Sequence, residues 1–341
     1  DTVESYLAFR KIEAKTVDGV PRLCLNGKPY FFHGLLDQGY WSDGGLTPPS
    51  PTSYEKDIMA MKSLGFNMLR KHIKVEPEIF YYYCDKYGMA VFQDFINNGD
   101  YSFIRDTALP TVFMKKFPDK LLHTKKSHRQ AFKDGAVATV NTLYNHPSIV
   151  YWTVFNEGWG QFDSANMYDF TKNLDKSRII DTTSGWFKSS RSDVESLHVY
   201  FKPVKIKKSE KPIILSEFGG YSYKPEGHVM NPHNTYGYRF FEKQEDFEAA
   251  AQIVHDELLF YHRLFDIYNT YDGLNNLKTV NDNAGIAPVA VDAAVIDLLK
   301  DCKAYYEATV GTVNVAMGSV LVLWHEARNH GFNDPANAAL P

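Results

Sequence analysis

Two glutamates stand at corresponding places in this chain. The segment "YWTVFNEGWG" (151–160) runs through apolar and aromatic residues and then presents Asn156, Glu157 and Gly158. The segment "KPIILSEFGG" (211–220) does the same with Ser216, Glu217 and two glycines. A carboxylate is expensive to bury, so an apolar strand that ends on one is a candidate for chemistry. Paired carboxyls suit hydrolysis of a glycosidic bond: one, protonated, assists the leaving oxygen while the other, ionised, attacks the anomeric carbon. At a separation of about 5–5.5 Å the reaction retains configuration through a covalent glycosyl-enzyme. Repulsion between the two raises one pKa, and a neighbouring cation holds the other down; Arg70 is the candidate cation.

The elements that must position this pair alternate between strand and helix. Strands are expected at 28–36, 66–72, 89–95, 148–157, 178–184, 196–200 and 212–217. A helix with a capping box at Thr52 and Glu55 follows the first and stops near Gly65. Another starts at Pro77 and ends at Gly88, and further helices are expected near 127–144 and 164–175. Near-continuous apolar strands alternating with helices imply a parallel sheet covered on both faces. Seven such strands predict a (β/α)8 TIM barrel, with "GSVLVLW" (318–324) as the candidate eighth. A doubly wound open sheet is the other architecture compatible with the pattern, but no G-x-G-x-x-G follows the first strand.

In a barrel of this kind the chemistry gathers at the carboxyl ends of the strands. The first strand offers His33, the second Arg70 and His72, and the third Gln93 and Asp94. The fourth offers Asn156 and Glu157, the sixth His198 and Tyr200, and the seventh Glu217. Taken singly, each has a structural role open to it: Arg70 as the ion-pair partner of Asp94, His33 or His198 as a satisfied core imidazole.

Composition excludes several other classes. Apolar residues make up 44%, charged residues 23% and aromatic residues 15% of 341, with a net charge of −4. No dense basic patch is present, and "KPVKIKKSEK" (202–211) reads as a solvated loop, so no nucleic-acid partner is expected. Cys24, Cys84 and Cys302 are too few and too widely spaced for a disulfide framework or a zinc cluster. No apolar run of about 18 residues occurs, so no membrane span is expected. The opening "DTVESYLAFRK" lacks a signal-peptide core, which leans towards a cytoplasmic location, with a secreted or periplasmic one the alternative for an excised or mature domain. "HEARNH" (325–330) spaces its histidines by five rather than the four that share a helix face, so no metal is expected there, and no cofactor elsewhere.

The segments "NHPSIVYWTVFNEGWG" and "KPIILSEFGG" resemble the fourth and seventh strands of glycoside hydrolase family 2, the β-galactosidase, β-glucuronidase and β-mannosidase group. "LNGKPYFFHGLLDQGYW" is similar to that family's first barrel strand, and "LGFNMLRKHIKVEPEIFYYYCDKYGMAVFQD" to its second and third. The resemblance implies that Glu157 is the acid/base, Glu217 the nucleophile and Asn156 the group that binds the sugar 2-hydroxyl. It implies that His72, His198 and Tyr200 line the sugar subsite. Trp159 is a candidate sugar platform and Trp41 a further aromatic facing the pocket, whereas Trp152 is read as core. The resemblance covers residues 1–262, expected to be the catalytic barrel domain. Residues 263–341 are expected to be a divergent C-terminal segment in place of the usual eighth-strand region. "VESYLAFRKIE" looks like the tail of the immunoglobulin-like domain that precedes the barrel in family members. The implied activity is that of a retaining exo-β-glycosidase on a carbohydrate substrate, a β-galactoside before others, in a chain open to homo-oligomerisation. Two rivals remain: a carbohydrate-binding barrel without turnover, and a metal-dependent hydrolase that uses the histidines.

Overall fold

The computed structural model describes residues 5–308 except 18, 98, 100, 109–118, 186, 202, 228, 230, 232, 234 and 235, together with 310, 311 and 314. The chain divides into two compact units, residues 1–240 and 241–341.

The first unit opens with an antiparallel sheet, β1 (Ile12–Val17), β2 (Val20–Leu25) and β3 (Lys28–Pro29). Asn26 and Gly27, both with positive φ, join β2 to β3, the pair that a two-residue hairpin turn demands. The expected first strand is thereby divided: Lys28–Pro29 pairs with β2, and only β4 (Gly34–Asp37) enters the parallel sheet.

That sheet runs in sequence order through β4, β5 (Met68–Lys71), β6 (Ala90–Asp94), β7 (Ile149–Asn156) and β8 (Ile179–Ser184), all parallel. Helices α1 (Pro51–Ser63), α2 (Glu78–Tyr87), α3 (Lys126–Leu143) and α4 (Ser164–Leu174) make the crossovers that parallel pairing requires. A second parallel pair, β9 (Glu195–Val199) and β10 (Ile213–Phe218), follows. Six of the seven parallel strands therefore fall where the apolar runs predict them, the first starts later than its run, and the seven are distributed over two sheets. β8 and β9 share no ladder among the described residues; the Asp193 amide donates to Ile180 O at 2.9 Å and the Ser184 and Ser196 hydroxyls lie 3.3 Å apart. The expected eighth strand, 318–324, and the "HEARNH" segment lie outside the described residues.

All eight residues of β7 are buried, as a central strand covered on both faces should be. Ile58, Leu69, Val91, Leu143, Trp152 and Ile180 belong to the core between the sheet and its helices. A second cluster joins Ile12 and Leu23 of the antiparallel sheet to Phe92, Val150, Tyr151 and Ile179. Helix α1 departs from expectation at its start. Pro51 takes the first turn, where its fixed φ and missing N–H cost nothing, and Ser50 becomes the N-cap. The capping box at Thr52 and Glu55 does not form; Glu55 instead pairs with Lys86 at 3.0 Å. Helix α2 ends at Gly88 in the left-handed conformation, as its sequence predicts.

The second unit contributes helices α5 (Gln244–Leu264), α6 (Leu277–Asp282) and α7 (Ala293–Ala308). Among the described residues no helix is long and apolar enough to cross a membrane.

Candidate active site

Parallel strands deliver their carboxyl ends to one side, and the register brings Asp37 level with Lys71, Asp94 with Thr153 and Asn156 with Ser184. The centre of this rim is Arg70 on β5, only 2% exposed. Its Nε and Nη2 donate to the two oxygens of Asp94, each at 3.0 Å, and Nη1 donates to Glu217 Oε1 at 2.7 Å. Nη2 also donates to Asn156 Oδ1 at 2.9 Å. Burial alone would weaken the guanidinium's hold on its proton, but Asp94 and Glu217 reverse this and keep it charged. Asp94 thus acts through Arg70. Asn156 is oriented by the same network: its amide nitrogen faces His72 Nε2 at 3.1 Å. His72 in turn lies 3.9 Å from Glu217, and burial lowers its pKa.

Glu157 follows β7 in a turn. Its amide donates to Ser184 O at 3.0 Å, and the Trp159 amide donates to Asn156 O at 2.9 Å. The turn gives Glu157 a φ of +51° and Gly158 one of +80°. A non-glycine residue held in the left-handed region is uncommon and carries a conformational cost that the surrounding structure must offset. Gly158 is required here for a second reason: a Cβ would stand 2.2 Å from the Phe187 ring.

His198 on β9 bridges the two glutamates. Its Nδ1 is 2.8 Å from Glu157 Oε1, and its Nε2 is 3.4 Å from Glu217 Oε1 and 3.0 Å from Ser184 Oγ. Burial pushes its pKa down to about 4, so the ring is neutral at pH 7. Tyr200, just past β9, donates its hydroxyl to Glu217 Oε2. One ligating atom from each of Glu157, His198 and Glu217 lies within 4.8 Å of the others, so the two carboxyls approach at least that closely.

The two carboxyls are not equivalent. Burial raises both pKa values. At Glu217 the rise is opposed by Arg70, His198 and the Tyr200 hydrogen bond; at Glu157 it is opposed only by His72 and Arg70. Glu217 therefore has the stronger support for its ionised form, and Glu157 is the better placed to hold a proton. The same trio could present three ligands to a cation. Glu217 Oε1 already accepts from Arg70, however, so a divalent ion there would face a guanidinium across one oxygen.

Arg70, His72, Asp94, Asn156, Glu157, His198, Tyr200 and Glu217 are thus linked in one network. Trp159 stands two residues beyond Glu157, 40% exposed, with its ring 5.0 Å from that of Tyr101. His33 is a correction. The ladder begins with Gly34 opposite Met68, so His33 precedes the amino end of β4 rather than following its carboxyl end. Its ring is exposed and lies against Phe31 and Phe66. Gln93 also points elsewhere, bonded to Tyr81 at 2.6 Å. Trp41 packs edge-on against Tyr54.

Four groups at the site escaped the sequence reading. Ser184 ends β8 and could have been found by the strand-end rule that exposed the others. Ser216 lies 2.7 Å from Ser196 in the hydroxyl cluster under His198. Tyr236 and Tyr238 come from the segment after β10; the Tyr238 ring stacks on that of Tyr200 with centroids 3.8 Å apart, and burial and then the field of Glu157 raise both phenols. No periodicity marks a loop residue of that kind.

Comparison with known proteins gives two family matches. The model described as "Glycosyl hydrolases family 2, TIM barrel domain" matches residues 17–259, well over half of the chain. The model of the ApbE family matches residues 235–340. Among curated relatives, a β-galactosidase of Priestia megaterium is 26% identical over 234 residues, 64% of this chain and 21% of that protein. A β-galactosidase of Pseudoalteromonas haloplanktis is 29% identical over 194 residues, 56% of this chain and 17% of that one. The chain thus spans about a fifth of the length of these relatives. Among solved structures, a β-galacturonidase of Eisenbergiella tayi superposes with a TM-score of 0.50 at 19% identity, over 72% of this chain and 43% of that one. A β-D-glucuronidase of Dictyoglomus thermophilum does so with a TM-score of 0.50 at 17% identity, over 73% and 45%. These two likenesses bear on the fold.

Proposed function

The chain belongs to glycosyl hydrolase family 2 through its TIM barrel domain, and from that premise we propose that it is a retaining exo-β-glycosidase in which Glu157 is the acid/base and Glu217 the nucleophile. The observation that carries this reading is the approach of the two carboxyls, within 4.8 Å across the exits of β7 and β10. An inverting pair would need roughly 6.5–9.5 Å to seat a water between them.

In the first step a Glu217 oxygen bonds to the anomeric carbon while the bond to the leaving oxygen breaks and Glu157 gives that oxygen its proton. In the second, water attacks the same carbon, Glu157 takes a proton from it, and Glu217 departs as a carboxylate. Arg70 and Tyr200 stabilise Glu217 at the start and at the end of this cycle. Asn156, held between Arg70 and His72, offers its amide to the sugar 2-hydroxyl. The leaving group must lie on the Glu157 side of the anomeric carbon, so Trp159 and Tyr101 are assigned to it. His72, His198 and Tyr200 are assigned to the sugar that is retained.

The substrate we assign is a terminal β-galactoside, the sugar named in the curated relatives. A uronide would call for cations to meet its carboxylate, and Arg70 and Lys71 are each engaged with two carboxylates of the protein. The catalytic domain is assigned to residues 1–262 and the divergent segment to 263–341; the ApbE-family match begins earlier, at residue 235. The rival reading, a sugar-binding barrel without turnover, draws on one observation, the separate sheets of β8 and β9.

The test is turnover of nitrophenyl β-glycosides, with the galactoside expected to be best, and proton NMR of the first anomer released. A β-anomer formed first, with no turnover in Glu217→Gln, is the expected result. Release of the α-anomer would overturn the retaining mechanism. Sugar binding without turnover in wild type would favour the rival.

A further inference from the structure

Tyr200 lies one residue beyond the end of β9, where the strand ladder no longer holds it. Its hydroxyl nevertheless donates to Glu217 Oε2, while Oε1 takes Arg70. The face of the Tyr200 ring is covered by Tyr238, with centroids 3.8 Å apart and planes 20° apart. Tyr238 is itself held on three sides. Its amide donates to Gly220 O at 2.8 Å, and its ring meets Phe201 edge-on at 5.3 Å. On the third side stands Gly220, where a Cβ would fall 2.5 Å from Tyr238 Cδ2 and φ is +75°. The second glycine after the nucleophile is therefore what admits the Tyr238 ring.

We propose that Tyr238 is a positioning residue for the nucleophile: its ring braces Tyr200 so that the Tyr200 hydroxyl stays on Glu217 Oε2. The proposal rests on the reading of Glu217 as nucleophile. A Tyr200 ring free to swing would leave Oε2 without its donor. The carboxylate would then be less stable both before attack and on departure, so both half-reactions would slow while sugar binding changed little. The other charged and titratable groups that face Glu217 are Arg70 and His72 from β5 and its exit, Asp94 behind Arg70, Glu157 after β7, His198 on β9 and Tyr236 beside Tyr238. Of these, Tyr236 is in side-chain hydrogen-bond contact with Tyr238, a contact that Tyr238→Phe and Tyr238→Ala both remove, so the comparison of those two variants isolates the stacked ring.

The experiment uses the full chain and a nitrophenyl β-galactoside, comparing wild type, Tyr238→Phe, Tyr238→Ala, Tyr200→Phe and the double variant Tyr200→Phe/Tyr238→Ala. Tyr238→Ala should lower kcat roughly ten- to a hundredfold, the worth of a hydrogen bond to a charged group, with KM little changed. The acidic limb of its kcat/KM profile should move to higher pH. Tyr238→Phe, which keeps the stacked face, should recover most of the loss. In the Tyr200→Phe background Tyr238→Ala should cost nothing further. Tyr238→Leu takes the place of the alanine variant should that fail to fold. Equal losses in both backgrounds, or an unmoved acidic limb, would overturn the positioning role alone. A wild-type chain that turns over no glycoside would overturn the glycosidase reading and this proposal with it.

Discussion

Replacing Arg70 with Met removes one cation from beneath two carboxylates. Arg70, Asp94 and Glu217 are all at most 6% exposed, so neither carboxylate can turn to water instead. Four hydrogen bonds of 2.7–3.0 Å disappear at once, three of them to carboxylate oxygens. Breaking a buried pair from one side costs about 3–5 kcal/mol, a large share of the ~5–15 kcal/mol that holds a domain together. The protein has one escape, which is to protonate Asp94 or Glu217. The folded-state pKa of Glu217 is already raised by burial, and Arg70 is the largest effect opposing that rise. Without Arg70 the pKa climbs further, so the folded variant binds a proton that the unfolded chain has released. Its stability then falls as pH rises. Urea unfolding followed by tryptophan fluorescence reports chiefly the first unit, which holds four of the five tryptophans, Trp41, Trp152 and Trp159 among them. The loss should be about 3–5 kcal/mol at pH 8 and distinctly smaller at pH 5. The acidic limb of kcat/KM in Arg70→Lys, which keeps a charge but not the fork, should also move upward. A loss under ~1 kcal/mol at pH 8, or one that is the same at both pH values, would refute the claim that Arg70 is the hub.

Glu157→Gln should slow turnover by about 10²–10⁴-fold for substrates with basic leaving groups and far less for a dinitrophenyl glycoside, which needs no protonation to depart. Equal losses on both would argue against an acid role. Trp159→Ala should lower kcat/KM roughly tenfold for glycosides with a sugar or aryl leaving group, and leave hydrolysis of a preformed glycosyl-enzyme unchanged, because the leaving group has by then gone. Slowed hydrolysis of that intermediate would move Trp159 to the retained sugar. His198 titrates at about 4 when folded against an ordinary value of 6.5, so between these values the unfolded chain binds the extra proton. Stability should therefore fall as pH drops through that window, by roughly 3 kcal/mol in all, and His198→Gln should flatten this part of the curve. Parallel urea-midpoint profiles for wild type and variant from pH 4 to 7 would contradict it.

The parts of this site that were legible in the sequence share one cause. A strand buried on both faces must be apolar along its length, so a polar residue at its exit stands out, and parallel strands put all such exits on one side. Arg70, Asp94, Asn156, Glu157, His198 and Glu217 were visible for that reason. The same rule misplaced His33 because an apolar run is not always a strand. "YFF" (30–32) reads as the body of the first strand, yet Phe32 packs against Phe92 and the ladder starts only at Gly34. The start is set by backbone contact: a Cβ at Gly34 would stand 2.0 Å from Met68 O. Such an approach between chain segments far apart in sequence has no local signature. Tyr236 and Tyr238 were hidden for a related reason, since they come to the site from a loop, Tyr238 by stacking on Tyr200, and loops carry no period.

The asymmetry between the glutamates follows from the same geometry. Neither carboxyl carries its role in its own chemistry, since both lie at strand exits and both are pushed up by burial. What separates them is the neighbouring donors. Arg70 reaches Glu217 directly, and Tyr200 closes its other oxygen. Glu157, lifted into a left-handed turn, has His198 as the one hydrogen-bond partner of its carboxyl among the described residues. A carboxyl with two donors, one of them cationic, tends to ionise; a carboxyl beside one neutral imidazole can keep its proton. If the roles come from the donors, moving donors should move roles. Arg70→Met combined with Tyr200→Phe should erase the difference and leave an enzyme slow in both half-reactions, while substrate analogues still bind. If that double variant kept a normal rate of glycosyl-enzyme formation, the origin of the asymmetry would have to be sought elsewhere than in the partners of Glu217.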